Sequence, residues 1–530
     1  MSDPQQPWYR APTAQAPVSG NPYASEVYSP TGPTRRRRFG KGPLITLVVV
    51  LLMLAGGGVY VVAGDADRSG TARPVARETG SAVPSGSPAA GGSPGPVRTS
   101  PMPTSILPVP TDPPSTAELD AARKPREAHG WVAGDSADLP SRDVLTGPVW
   151  SVGDTIVQVL YRDVVARRVS DGAVAWRVSL PAPVCGAPVG MTPDGKVVVA
   201  HRNPAVGEEE KCDQIQMLDL KSGQKGWVKK LTTTSKLDRP KTAGLSISGV
   251  FLVLHQGATA SVHQVSDGTE LFDVPPDNPW SSTLAVGERG CHPTASAAGS
   301  TKMLVISSCP GADGAQFGQI MEIDPRARKV LWRYRVGDGQ LIAKVYSTDP
   351  VVFTTTTSVS SSFSNWRIVA LDRAGKVRST IDPEKQGIPP CLGLSDLGGT
   401  AAQVCRGALA TQDTLFLTSE TGLSAFGLAD GKPRWKSDVG SDRQLRPLRA
   451  EGGTLLAYLG PSKKEAGRIV RVGPKKAMTT VLRHPSLARE TEYGMQGGDV
   501  ALVGRRLIIS PYWVNGDDRR HDTRLLSFTP

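Results

Sequence analysis

The sequence predicts an all-β fold, an eight-bladed β-propeller with seven blades as the alternative, preceded by one transmembrane helix and disordered segments. Three observations carry this prediction. A long uncharged apolar stretch follows a cluster of basic residues. Beyond residue 118 no long segment has the 3.6-residue apolar period of a helix, while short β-branched runs alternate with Gly, Pro, Asp and Ser. A turn signature then recurs at intervals of about 45 to 60 residues, the length of one four-stranded blade.

Residues 1–41 form the first segment. They are proline-rich, carry scattered aromatics and have almost no aliphatic clusters, so they bury too little surface to offset the entropy of ordering. The segment ends in Arg35, Arg36, Arg37, Arg38 and Lys41. Residues 42–64 follow, uncharged and rich in Leu and Val, and about 20 apolar residues suffice to cross a bilayer as a helix. The cations on the N-terminal flank set the topology, with the N-terminus cytoplasmic and the remainder outside. A cleaved signal peptide is the competing reading, but its apolar core is usually about 7–15 residues and a long segment precedes the basic cluster here. The expected localisation is therefore the cell membrane, single-pass, with a large extracytoplasmic domain.

Residues 65–117 are rich in Pro, Ser, Gly and Thr and read as a stalk, with a reach on the order of 40 Å for a flexible chain of this length. The formal net charge is +12. Outside the 35–41 cluster the basic residues are interspersed with acids, and no nucleic-acid motif accompanies them. No nucleic-acid partner is expected.

Residues 118–530 hold the repeat. Its unit is a strand, an Asp-Gly or Ser-Gly turn, and a second strand with an aromatic four positions after the glycine. It occurs at Gly172 with Trp176, Gly223 with Trp227, Gly268 with Phe272, and Gly431 with Trp435. Trp332 belongs to the set with Arg328 in the glycine's place, and Gly375 marks a copy without an aromatic. The Asp-Gly pair is read as a two-residue hairpin turn, which requires positive φ, and the aromatics as packing between blades.

Eight pairs of hydrophobic runs precede or accompany these turns and are read as paired inner strands: 155–161 with 164–169, 196–201 with 214–220, 250–255 with 260–265, 302–307 with 319–323, 351–356 with 367–371, 413–418 with 423–428, 454–459 with 468–472, and 506–510 with 524–528. Trp131 lies 45 residues before Trp176 in a short run of its own. The segment around Trp131 is therefore expected to complete the last blade, so that strands from both ends of the domain clasp the ring and remove its exposed edges.

The run Leu218, Asp219, Leu220, Lys221, Ser222, Gly223 with Trp227, the run from Ala370 to Lys376, and Asp430, Gly431, Lys432 with Trp435 resemble the pyrroloquinoline-quinone-type propeller repeat. That resemblance covers roughly residues 126–530. It implies a propeller and leaves function open, because the family contains both quinone-dependent dehydrogenases and cofactor-free scaffolds such as the outer-membrane assembly propeller. The helix, stalk and low-complexity tail are similar in composition to envelope proteins of high-GC Gram-positive bacteria.

Six cysteines in an exported domain read first as disulfides. Order along the chain suggests Cys185 with Cys212, Cys291 with Cys309, and Cys391 with Cys405, although six cysteines allow fifteen connectivities. Quinone chemistry of this family would require a calcium cradle, a catalytic Asp and often an adjacent cysteine pair, which the sequence lacks. The Glu208, Glu209, Glu210 run reads as a solvated loop tip, and motifs for serine hydrolases, zinc peptidases and phosphate loops are missing. No cofactor, metal or catalytic residue is expected. The function expected is a non-enzymatic binding or scaffold module for an envelope protein, peptide or wall component. A quinone-dependent oxidoreductase and an extracytoplasmic sensor are the alternatives.

Overall fold

Eight four-stranded antiparallel sheets succeed one another along the chain, settling the blade count at eight. The computed structural model describes residues 113–530 except 135–138, 140–143, 204–210, 232–241, 275–289, 312–313, 358–364, 391–404, 452–453, 474–476 and 515–522. The expected tail, membrane helix and nearly all of the expected stalk lie outside the described residues, as do Arg35, Arg36, Arg37, Arg38 and Lys41. Among the described residues no helix is long and apolar enough to cross a membrane.

Blade 1 is a meander of Val149–Val152, Thr155–Leu160, Asp163–Arg168 and Val174–Ser179. The same order repeats in blade 2 (184–230), blade 3 (244–273), blade 4 (292–335), blade 5 (341–381), blade 6 (408–438) and blade 7 (445–483). The first strands of blades 4 to 8 each lie against the first strand of the preceding blade, so first strands converge on the axis. Fourth strands such as Val174–Ser179 and Lys329–Arg335 are the most exposed, with only alternate residues half-buried. The hydrophobic runs predicted as inner strands are thus the second and third strands of each blade. Every residue of Thr155–Leu160 is buried because both of its faces meet a neighbouring blade.

Blade 8 departs from the meander. Asp499–Val503, Arg506–Ser510 and Leu525–Thr529 supply three strands, and His129–Ala133 adds the fourth, with Trp131 opposite Ser527. The expected clasp is present. A second tie joins Val144–Leu145 to Trp513–Val514, beside the bond from Thr146 Oγ1 to the Pro511 carbonyl at 2.7 Å.

Two features differ from the sequence reading. The helix Thr116–Ala122 (α1) begins inside the expected stalk. Its cap Ser115 accepts from the Glu118 amide while the Glu118 carboxylate accepts from the Ser115 amide, a reciprocal box that stabilises a short helix, and its Leu119 is buried. The repeat turn is also longer than two residues. In blade 1 the Gly172 amide donates to the Arg168 carbonyl and the Arg168 amide to the Ala173 carbonyl, which encloses a four-residue loop. Only its glycine has positive φ, +74°. The aspartate is favoured because its side chain accepts from the amide two residues on, as Asp171 does from Ala173 at 3.0 Å and Asp267 from Thr269 at 2.8 Å.

Candidate functional site

The repeat aromatics sit at junctions between blades. A Cβ on Gly172 would come within 2.6 Å of the Trp131 ring, and Gly223 stands in the same relation to Trp176, as Gly375 does to Trp332. Gly268 meets Trp227 likewise at 2.9 Å. Each tryptophan therefore lies flat on the turn glycine of the next blade, which needs the missing side chain as well as the left-handed backbone. In blades 1 to 4 and 6 a bulge beside the turn in the fourth-strand pairing aims the ring there, whereas Trp131 sits in an unbulged pairing.

The indoles of Trp131 and Trp227 donate to the Val169 and Val265 carbonyls at 3.0 and 2.9 Å, three residues before the glycine in each case. Trp332 donates instead to Glu322 Oε2 at 2.8 Å. Phe272 packs into the cluster between blades 3 and 4, where Arg328 takes the turn's left-handed position at φ +51°. Trp435 lies 5.9 Å from Phe416 within the blade 6–7 core. These six aromatics hold the ring together.

In blade 5, Ser379 occupies the aromatic's register position opposite Ala370, and its hydroxyl donates to the Leu428 carbonyl at 2.8 Å, the same turn acceptor that an indole reaches elsewhere. The fourth strand of blade 7, Met478–Arg483, contains no aromatic. The next blade is the clasped one, which has no third-to-fourth turn for a ring to cover.

The two rims of the ring are unequal. First-to-second and third-to-fourth connections are short, the longest running from Gly186 to Lys196. Connections on the opposite rim include His201 to Gln214, Asp273 to His292, Ile381 to Ala408 and Ser510 to Leu525. The disulfides brace this long-loop rim. Cys185 and Cys212 are bonded with Cα atoms 5.9 Å apart, and Cys291 and Cys309 with Cα atoms 4.0 Å apart. Cys405 is disulfide-bonded, and Cys391 lies outside the described residues. The run Glu208, Glu209, Glu210 also lies outside them.

Arg406, on the connection from blade 5 to blade 6, reaches past blade 7 to blade 8. It pairs with Asp499, donates to the Gly497 carbonyl at 3.1 Å and covers the Tyr512 ring, 4.6 Å from its centroid. Tyr512 meets Trp513 edge-on, and Trp513 is 51% exposed. Arg443 fixes the neighbouring loop through the Gly460 carbonyl at 2.9 Å and Glu465 at 2.8 Å, and that hydrogen bond holds the Glu465 carboxyl below its usual range.

Beneath this rim, between blades 7 and 8, lies a polar cluster. Glu492 on the helix Arg489–Gly494 (α2) is buried and accepts from Tyr458 at 3.0 Å and the Gly467 amide at 2.7 Å, and its Oε1 lies 2.6 Å from His484 Nδ1. His484 stacks on Phe528 with centroids 3.8 Å apart. Burial, followed by the Glu492 charge and hydrogen bond, pushes the Tyr458 hydroxyl well above its ordinary value. Burial lowers Arg446, which is held by Gln444 and the Gly498 carbonyl. The adjoining cavity of about 10 Å³ has room for about one water. Among the described residues no group of His, Cys, Asp and Glu is arranged to hold a metal.

The repeat geometry agrees with a sequence match, in which the family described as outer membrane protein assembly factor BamB matches residues 120–275. The chain is an eight-bladed β-propeller whose residues 120–275 resemble the PQQ-type repeat. Its propeller is similar to the crystal structure of BamB from Moraxella catarrhalis, at 14% identity and TM-score 0.41, over 75% of this chain and 99% of that one. It is also similar to the dihydro-heme d1 dehydrogenase NirN in complex with DHE, at 14% identity and TM-score 0.43, over 79% and 81% of the two chains. The RRP9 WD40 repeats match at 9% identity and TM-score 0.36, over 75% and 99%. No curated protein matches the sequence. In this propeller the tryptophans and the disulfides Cys185–Cys212 and Cys291–Cys309 stand where the sequence grouped them, whereas the rim residues Arg406, Tyr512, Trp513 and the Glu492 cluster carried no sequence signal. Arg406 and Asp499 are 93 residues apart and meet only because the ring closes.

Proposed function

We propose that this propeller is a non-enzymatic scaffold, held outside the cell membrane by its N-terminal helix, that binds an envelope protein, peptide or wall component through its long-loop rim. The observation carrying this reading is the inequality of the rims. Long connections, the disulfides and the Arg406–Tyr512–Trp513 group gather on one side, while the other side carries short turns. Exposed aromatics beside arginine are the residue types that anchor protein interfaces, and disulfides limit the entropy lost when long loops are ordered by a partner. The family matched over residues 120–275 is described as an assembly factor, which agrees with a binding role.

A photo-crosslinking residue placed at Trp513 in the full-length chain tests this in cells. An adduct at a defined mass is expected from position 513, and none from Val250, which is exposed on a short turn of the opposite rim. Equal adducts from both positions, or from Val250 alone, would refute the rim assignment. A stoichiometric absorption change with dye reduction on adding pyrroloquinoline quinone and calcium would refute the non-enzymatic reading.

A further inference from the structure

Two blades lack a repeat aromatic, blade 5 and blade 7, and two cavities lie near their junctions. The one between blades 7 and 8 has room for about one water. The other is a cleft of about 180 Å³ on the short-turn rim, where blade 5 meets the turns of blades 4 and 6. The repeat is broken where this cleft opens, and departures of this kind collect at sites under a separate functional demand.

The lining has a definite chemistry. Val351 and Leu371, each only 1% exposed, close its apolar floor, while Lys302, Arg373 and Arg378 outnumber Asp349 and Asp372 along its walls. The Lys302 side chain is only 15% exposed, and its ammonium lies 3.8 Å from Glu322 and 3.6 Å from Asp349. Both separations exceed hydrogen-bonding range, so its donors remain open to an acceptor in the cleft. Arg378 spends Nη1 on the Gln412 carbonyl at 3.1 Å, and its Nη2 lies 4.0 Å from the highly exposed Asp413. Asp372 Oδ1 is committed to the amides of Ala374 and Lys376, both at 2.9 Å.

We propose that this cleft binds a small organic carboxylate, with Lys302 and Arg378 as its cationic partners and Val351 and Leu371 against its apolar part. A planar anion matches the guanidinium fork. Asp349, half exposed at the edge, suits an ammonium on the same ligand, so an α-amino acid is expected to bind more tightly than the acid lacking the amine. The site is independent of the rim assigned to the envelope partner.

Isothermal titration of the full-length chain in mild detergent with propionate, alanine and inorganic phosphate tests this. Saturable binding of alanine and propionate is expected, with Kd on the order of 1 mM for ligands of this size. Arg378→Gln is expected to weaken both by at least about tenfold, the loss of one charge-assisted bond, with the melting temperature nearly unchanged. Lys302→Met should do the same. If that variant fails to fold, Arg378→Gln decides alone. The proposal is overturned by the absence of saturation, by phosphate binding more tightly than either carboxylate, or by unchanged affinity in Arg378→Gln.

Discussion

At Gly223 one hydrogen atom decides whether two blades meet. The residue has φ +74°, and a Cβ there would lie 2.6 Å from the Trp176 ring. Gly223→Ala therefore combines left-handed strain with overpacking, together about 2–5 kcal/mol. Urea unfolding should show this loss in the parent, and only about 1–3 kcal/mol in a Trp176→Ala background, where the strain alone persists. Equal costs in both backgrounds would show that ring and glycine are not coupled. His263 makes a second residue-scale case. Burial, then the nearby Lys229 charge, lowers its pKa from 6.5 to about 4, and its ring nitrogens face the Ser261 hydroxyl and the Gly268 carbonyl. A depressed histidine is neutral in the folded chain, so the unfolded chain binds the extra proton as pH falls below 6.5. Stability should then decline between pH 6.5 and 4, by at most about 1.4 kcal/mol per pH unit from this residue. His201 and His255 are lowered by burial too and act in the same direction. Urea titrations at pH 7 and pH 5 should show a smaller difference in His263→Gln than in the parent, and an unaltered difference would remove His263 from the account.

Strands differ in how much of themselves they write into the sequence. The second and third strands were legible almost to the residue, as at Val351–Thr356 with Arg367–Leu371, because burial between two neighbouring blades demands an unbroken β-branched run. First strands line the axis and several are short or half-buried, such as Ala408–Ala410 and Asp499–Val503, so no long apolar run marks them. The helices α1 and α2, each of two turns or fewer, are too short for a 3.6-residue period to register. The turn was located correctly from Asp-Gly, yet its four-residue form was hidden, since the same pair serves tight hairpins and longer loops alike. Glu492 illustrates the remaining gap. A buried carboxylate looks like any surface glutamate until Tyr458, His484 and the Gly467 amide are brought around it by three separate parts of the chain. The rim residues were unreadable for the same reason, because their meaning depends on which loops the ring places side by side.

Closure governs the molecule as a whole, and it rests on residues 113–133. Seven blades are continuous meanders, whereas blade 8 receives its outer strand from His129–Ala133. Trp131, only 2% exposed, then covers Gly172 of blade 1, so one short strand completes a sheet and joins the two ends of the array. The preceding segment is tied separately to blade 7, through the Ala128 amide on the Arg483 carbonyl at 2.7 Å and Leu119 in the core between blades 7 and 8. Deleting residues 113–133 from the full chain would expose the edge of Leu525–Thr529 and uncover that core. An unpaired edge beside uncovered apolar surface promotes association. The deleted protein is therefore expected to self-associate on size-exclusion chromatography and to be cleaved by protease within blades 8 and 1 before blades 2 to 5. A synthetic peptide of residues 113–134 should restore the monomer and the protection, while the same peptide carrying Trp131→Ala should do so at least about tenfold less well, given the area one buried tryptophan contributes. A deletion variant that stays monomeric and resists protease as the full chain does would mean that the ring closes without its clasp.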